Sequence, residues 1–293
     1  VTVLYNNKKI FKMIKRISIA LLLVILTSTV SAQEKTIENP SNWKKKGNIS
    51  FLLNQSSFSN WIAGGDNTVA GNLGINYDFN YTKDDLTWDN KLILAYGINN
   101  VKGNGTRKTD DRFEFNSLVG KKAKGNWSYS MFLNFKTQFT NGYDYTKTPK
   151  VKTSAFLAPG YLSFGPGMLW KKSDNFKINL APITSKITMV SDEFSGQYGT
   201  DLGKNTRYEF GFNGSLNYKT TVMENITMEN ILNVYSNYLE NPQNIDIDYQ
   251  LSFVMQINKY LSTNLNLHTI IDDNASSKVQ FKEVFGLGVN YIF

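Results

Sequence analysis

The stretch Phe285-Gly286-Leu287-Gly288-Val289-Asn290-Tyr291-Ile292-Phe293 places a large apolar residue at every second position. Alternate residues of a strand share a face. Phe285, Leu287, Val289, Tyr291 and Phe293 therefore form a greasy face, and Gly286, Gly288 and Asn290 a small, polar one. A strand of this pattern ending on an aromatic has the form of a terminal assembly signal, the segment that barrel-assembly machinery reads in an outer-membrane β-barrel. It specifies an architecture and a membrane. It names no substrate.

The other end of the sequence carries an export pattern. Lys15-Arg16 precedes the apolar run Ile17 to Leu26, and Val30-Ser31-Ala32 supplies small residues for cleavage after Ala32. The run is far shorter than the roughly twenty residues a membrane-spanning helix needs. Met13 is the expected start, with residues 1–32 as upstream sequence plus leader, 33–46 as a short periplasmic segment and 47–293 as the barrel. The whole chain has a formal charge of +8, and Lys8, Lys9, Lys12, Lys15 and Arg16 carry five of those positive charges, so 8 − 5 leaves about +3 beyond the leader. The basic character is thus mostly targeting, and nucleic acid is not an expected partner. The sequence has no cysteine, which excludes disulfides, thiolate metal sites, cysteine nucleophiles and a lipid-modified cysteine anchor.

The alternation repeats along the chain. Leu73, Ile75, Tyr77, Phe79 and Tyr81 share a face, as do Trp127, Tyr129, Met131, Leu133 and Phe135, and again Ile247, Tyr249, Leu251, Phe253 and Met255. About twelve such segments can be drawn: 47–56, 67–82, 87–99, 111–121, 127–139, 154–170, 175–190, 206–219, 226–238, 245–257, 261–271 and 279–293. Most match the nine to eleven residues of a tilted membrane strand. Short connections, such as Lys83 to Leu86 and Lys122 to Asn126, alternate with longer ones at 57–66, 100–110, 140–153 and 191–205. The aromatics Tyr81, Trp88, Trp127, Trp170, Phe176, Tyr218, Tyr291 and Phe293 fall at the short-turn ends, and Phe139, Phe156, Tyr208 and Tyr238 at the long-loop ends. Two aromatic girdles are expected where rings sit between acyl chains and headgroups. The predicted fold is all-β, an antiparallel transmembrane barrel of about 12 strands. A soluble sandwich also alternates, but it gives rings no reason to gather at strand ends.

Several segments carry a resemblance: Trp43 to Asn48, Gln55 to Asn67, Lys108 to Arg112, Phe135 to Tyr145, Tyr235 to Asp246 and Val279 to Val284. Together these resemble an uncharacterised family of Bacteroidota envelope proteins, a domain of unknown function. The resemblance implies an outer-membrane location and a single barrel domain; outer-membrane lipids and lipopolysaccharide are the expected partners of such a barrel. It brings no catalytic or ligand residues.

Alternation points Asp78, Lys91, Glu114, Lys136, Lys177, Arg207, Glu209, Lys219, Glu229, Asp248, His268 and Lys282 inward. Neither sign dominates, so the lumen is either a weakly selective aqueous pore or an interior filled by ion pairs. Twelve strands lie between the eight that side chains fill and the sixteen that leave a channel. The glycines of the closing strand are expected to thin its wall. His268 is the only histidine, and Ile270, the next residue on its face, offers no nucleophile. The expected function is passage or binding of small solutes, with a filled structural barrel as the alternative and a lipid hydrolase a distant third. Phe58, Trp61, Tyr143 and Tyr145 are loop residues able to plug the pore or stack on a ligand. Acidic pairs at Asp110-Asp111, Asp192-Glu193 and Asp272-Asp273 offer hard oxygen ligands that could hold a divalent cation, but their spacing matches no calcium loop and they read as solvated loop charge. No phosphate loop, metal-ligand spacing or nucleophile elbow is present, and no cofactor or metal is expected.

Overall fold

The structure is a computed structural model that describes residues 41–56, 67–103 and 105–293. The predicted leader, residues 33–40 of the predicted segment 33–46, and Phe58 and Trp61 lie outside the described residues. The strands are β1 Trp43–Ser56, β2 Thr68–Lys83, β3 Leu86–Val101, β4 Gly105–Lys124, β5 Trp127–Thr137, β6 Gly142–Asp144, β7 Val151–Ser154, β8 Gly160–Ser173, β9 Phe176–Met189, β10 Thr206–Met223, β11 Ile226–Asn237, β12 Ile245–Gln256, β13 Leu261–Asp272 and β14 Ser276–Ile292. Twelve of them close a barrel in the ring order β1-β2-β3-β4-β5-β8-β9-β10-β11-β12-β13-β14, while β6 and β7 form a separate hairpin. Every pairing is antiparallel, and β14 closes on β1 through Val289 opposite Phe51.

The burial pattern inverts that of a water-soluble protein. Phe285, Leu287 and Val289 are each more than half exposed on the outside, while Gly286, Gly288 and Asn290 are buried inside. The same parity holds on β5, where Tyr129 and Met131 are exposed and Ser130 and Phe132 buried. An apolar exterior that satisfies its backbone hydrogen bonds by closing on itself is the β solution to spanning a bilayer. The fold is an antiparallel transmembrane β-barrel of twelve strands.

Aromatic contacts trace the girdles. At the short-turn end Trp43 packs on Phe79, Tyr81 and Trp88, and Phe293 on Tyr77 and Tyr291. Further round, Trp170, Phe176 and Tyr218 make edge contacts. At the other end Phe113 packs on Phe139, and Phe210 on Tyr238.

Three sequence expectations need correction. The first strand begins at Trp43, four residues before Gly47, because Trp43 to Lys46 pair with Tyr81 to Asp78 on β2. The span 100–110 is mostly strand: β3 and β4 pair out to Val101 and Gly105 and leave a tight turn. The thin wall at Gly286 and Gly288 is filled, since a Cβ on Gly288 would lie 2.7 Å from Leu52 and 2.8 Å from Asn264.

Bulges mark β8, β9 and β10 and bring backbones unusually close. A Cβ on Gly211 would sit 1.9 Å from the carbonyl oxygen of Ser236, an atom that no rotamer change can move. Gly211→Ala is expected to cost about 2–3 kcal/mol through overpacking. Gly71→Ala, whose Cβ meets only the Phe51 ring at 3.5 Å, should be close to neutral. Urea midpoints of the refolded variants decide it: equal midpoints would remove the close approach at Gly211.

Candidate functional site

The lumen is the candidate site. Alternation carries one charged or amide side chain inward from nearly every strand, and these meet across the barrel. Lys91 on β3 donates to Glu229 on β11 at 2.8 Å, and Arg112 on β4 to Gln250 on β12 at 2.9 Å. In the ring order each of these pairs joins strands six places apart, that is, opposite walls. A circular ring of twelve strands, 4.8 Å apart and tilted by about 40°, has a backbone diameter of about 24 Å. An extended lysine and glutamate bridge roughly 14 Å between Cα atoms, their hydrogen bond included. The barrel is therefore pinched along this axis, and its lumen is a slot rather than a round bore.

Further pairs stack above and below. Toward the short turns, Asp89 receives Lys177 at 3.0 Å and Lys171 at 3.3 Å. Lys219 stands 4.0 Å from Glu229. At mid-height Glu114 is 2% exposed and accepts from Arg112 Nε at 3.0 Å, Asn116 at 2.8 Å and Asn134 at 3.3 Å. Lys136 reaches Asp248 at 2.5 Å. His268 Nε2 lies 2.9 Å from the other oxygen of Asp248. Toward the long loops, Lys282 pairs with Asp110 at 2.8 Å and Lys186 with Asp246 at 2.8 Å. Arg207 stands 3.5 Å from Glu209 and 3.0 Å from Glu240.

Lys91, Glu114, Lys136, Arg207, Glu209, His268 and Lys282 thus all face the lumen, in separate ion-paired groups of which the largest joins Glu114, Arg112, Gln250, Asp248, Lys136 and His268, and Asp78 lies opposite Lys91 in the β2–β3 register. Buried charge requires such partners. His268 has Asp248 as its hydrogen-bond partner.

Tyr143 and Tyr145 sit elsewhere. Tyr143 lies in β6 and Tyr145 follows it, outside the barrel sheet, with ring centroids 6.2 Å apart, Lys150 over the first ring and Arg107 over the second. None of the lumen pairs includes them. Two hydrogen bonds from Thr146 hold the Asp144 carboxyl between them below the usual carboxylate range.

The long loops build a small cap whose core escaped sequence reading, because a single buried aromatic leaves no periodic trace. Ala158, Val190 and Phe194 are buried together with Ala155 and Tyr198 against them. Lys152 pairs with Glu193 at 2.6 Å, and the Tyr198 hydroxyl donates to the Thr153 carbonyl. Burial pushes that hydroxyl above its ordinary pKa, so it remains a donor. Arg207 then ties the carbonyl of Gly199 at 3.1 Å and Asn274 at 2.7 Å. The loop between β9 and β10 thereby reaches the β13–β14 turn, three strands beyond β10 in the ring.

A family model described as "Protein of unknown function (DUF3078)" matches residues 53–143, which run from β1 into β6. No curated protein matches the chain. Among solved structures, the COG4313 outer membrane channel from Pseudomonas putida F1 is similar at 9% identity, covering 90% of this chain and 99% of that one, with a TM-score of 0.39. The translocator domain of the autotransporter NalP from Neisseria meningitidis is similar at 11% identity, covering 88% and 90%, with a TM-score of 0.34. A porin is similar at 8% identity, covering 85% and 100%, with a TM-score of 0.33.

Proposed function

We propose that the protein is a bacterial outer-membrane channel for small polar solutes, held shut at rest by ion pairs that cross its lumen. The membrane part of this reading is supported by the apolar exterior and the two girdles. Short turns would face the periplasm, long loops the outside, and lipid with lipopolysaccharide would cover the apolar wall.

One observation carries the channel part. The pair that joins opposite walls is wet: the Lys91 and Glu229 side chains keep 22% and 23% of their surface accessible. Lys136 and Asp248 keep 26% and 18%. A dry filler would have no such access, and apolar packing stabilises an interior at least as well as buried charge does. Charged groups lining a pore supply the partners that a solute needs as it sheds water. A filled, permanently closed barrel is favoured by the buried polar groups, Glu114 and Glu209 among them, which are 2% and 1% exposed.

Planar-bilayer recording tests the reading. The wild type should be closed for most of the time, with small openings. Lys91→Ala/Glu229→Ala/Gln250→Ala removes one cross-barrel pair and one amide without changing net charge, and should give larger and longer openings. A variant that folds, as judged by heat-modifiable gel migration, yet stays silent would leave the structural reading in its place. A wild type with a large steady current would exclude closure.

A further inference from the structure

We infer that one half of the short-turn rim, the arc from β1 to β8, is a binding surface for the headgroups of anionic phospholipid. The inference rests on the membrane placement proposed above and adds a partner on one side of the barrel. All four described tryptophans lie on this arc: Trp43 on β1, Trp88 on β3, Trp127 on β5 and Trp170 on β8, each near the short-turn end of its strand. These strands belong to the continuous run β1-β2-β3-β4-β5-β8 of the ring. Trp43 packs on Tyr81 at 5.2 Å and on Trp88 at 5.7 Å, and Trp127 stands opposite Trp170 in the β5–β8 register.

Lysines accompany the rings. Residues directly opposite in an antiparallel ladder share a face. Lys45 is opposite Phe79, Lys83 opposite Leu86, Lys121 opposite Leu86 and Tyr129, and Lys124 opposite Trp127. All four therefore point outward with the apolar wall, and Lys172 is exposed two residues beyond Trp170. None of the five forms an ion pair among the described residues, whereas Lys171 and Lys177 turn inward to Asp89, and Lys171 also takes Asp174. Against the five stand Asp84 and Asp85 in the β2–β3 turn, so 5 − 2 leaves three positive charges in excess. The other half of the ring, β9 to β14, brings Glu224 and Lys259 to its short turns, and its strands carry no tryptophan. The surplus is one-sided.

A lysine beside an interfacial ring lays its stem on the apolar wall and lifts its ammonium to the level of the lipid phosphates. A zwitterionic headgroup brings its own ammonium to that level. A net anionic headgroup does not, and a surplus of cations favours it. Geometry separates lipid from an acidic protein as the partner. The turns on this arc are two residues long, Asp84-Asp85, Gly125-Asn126 and Asp174-Asn175. They project little for a protein to hold, while the lysines lie against the wall that acyl chains would cover.

The tryptophans of the arc are the reporters, in a Trp61→Phe background so that they alone fluoresce. The full chain is refolded into vesicles of equal parts phosphatidylcholine and phosphatidylglycerol, with brominated acyl chains on one lipid or on the other. Quenching should be stronger when phosphatidylglycerol carries the bromine, corresponding to about fivefold local enrichment, the scale of one lysine meeting an anionic headgroup. Salt at roughly 1 M should abolish the preference by screening. Lys45→Gln/Lys83→Gln/Lys121→Gln/Lys124→Gln, shown to fold by heat-modifiable migration, should abolish it at low salt, and Lys259→Gln on the other half should leave it unchanged. Equal quenching by the two lipids overturns the inference while keeping the barrel in the membrane, and leaves the lysines to an acidic protein. An undiminished preference in the folded quadruple variant overturns it as well. Quenching by neither lipid removes the membrane placement itself.

Discussion

Glu114→Leu is expected to destabilise the folded barrel by about 3 kcal/mol, the lower end of what removing one partner of a buried ion pair costs. The carboxylate is 2% exposed and holds Arg112, Asn116 and Asn134 at once. Leucine fills the space but leaves a guanidinium and two amides facing hydrocarbon. Arg112 keeps its bond to Gln250 and 19% of its side-chain surface, which places the cost at the low end. Glu114→Gln retains an acceptor and the shape, and should cost less than half as much. Urea titration of tryptophan fluorescence in lipid vesicles measures both. If leucine and glutamine cost the same, charge at this position is irrelevant to the network.

That network was only half legible in the sequence. Alternation told which charges point inward, because a strand between lipid and water must separate its two faces. It did not tell which charge meets which. Lys91 finds Glu229, 138 residues away, only because β3 and β11 stand on opposite walls of a pinched ring. No local pattern encodes a cross-section. The boundary errors have a related cause. Beyond the bilayer both faces of a strand meet water, so alternation fades while pairing continues. Arg107 and Lys108 on β4 pair with Asn99 and Ile98 in such a region, where the polar sequence reads as loop. Lys44 to Lys46 at the opposite end likewise conceal the start of β1. The approach of Asp246 to Asp272 was out of reach for another reason: it arises only through the β12–β13 pairing, which sets Ile247 opposite Ile271.

Met131→Arg should cost about 2–4 kcal/mol in lipid vesicles, the penalty for a guanidinium on the lipid face near the bilayer midplane. Met131 is 47% exposed and central on β5, between the short-turn ring of Trp127 and the long-loop side at Phe135. Its neighbours across the ladder, Val119 and Pro166, are apolar as well, so the arginine has no partner within reach. The same change at Val279, 62% exposed near the long-loop start of β14, should cost at most about 1 kcal/mol because it lies at the interface. Exposure alone predicts no such difference, since both residues are exposed and a surface substitution in water stays within about 0.5 kcal/mol. A depth-dependent penalty therefore separates a barrel solvated by acyl chains from the same barrel in water. If Met131→Arg is neutral while its unfolding remains reversible, water solvates this wall, and the channel reading loses its membrane.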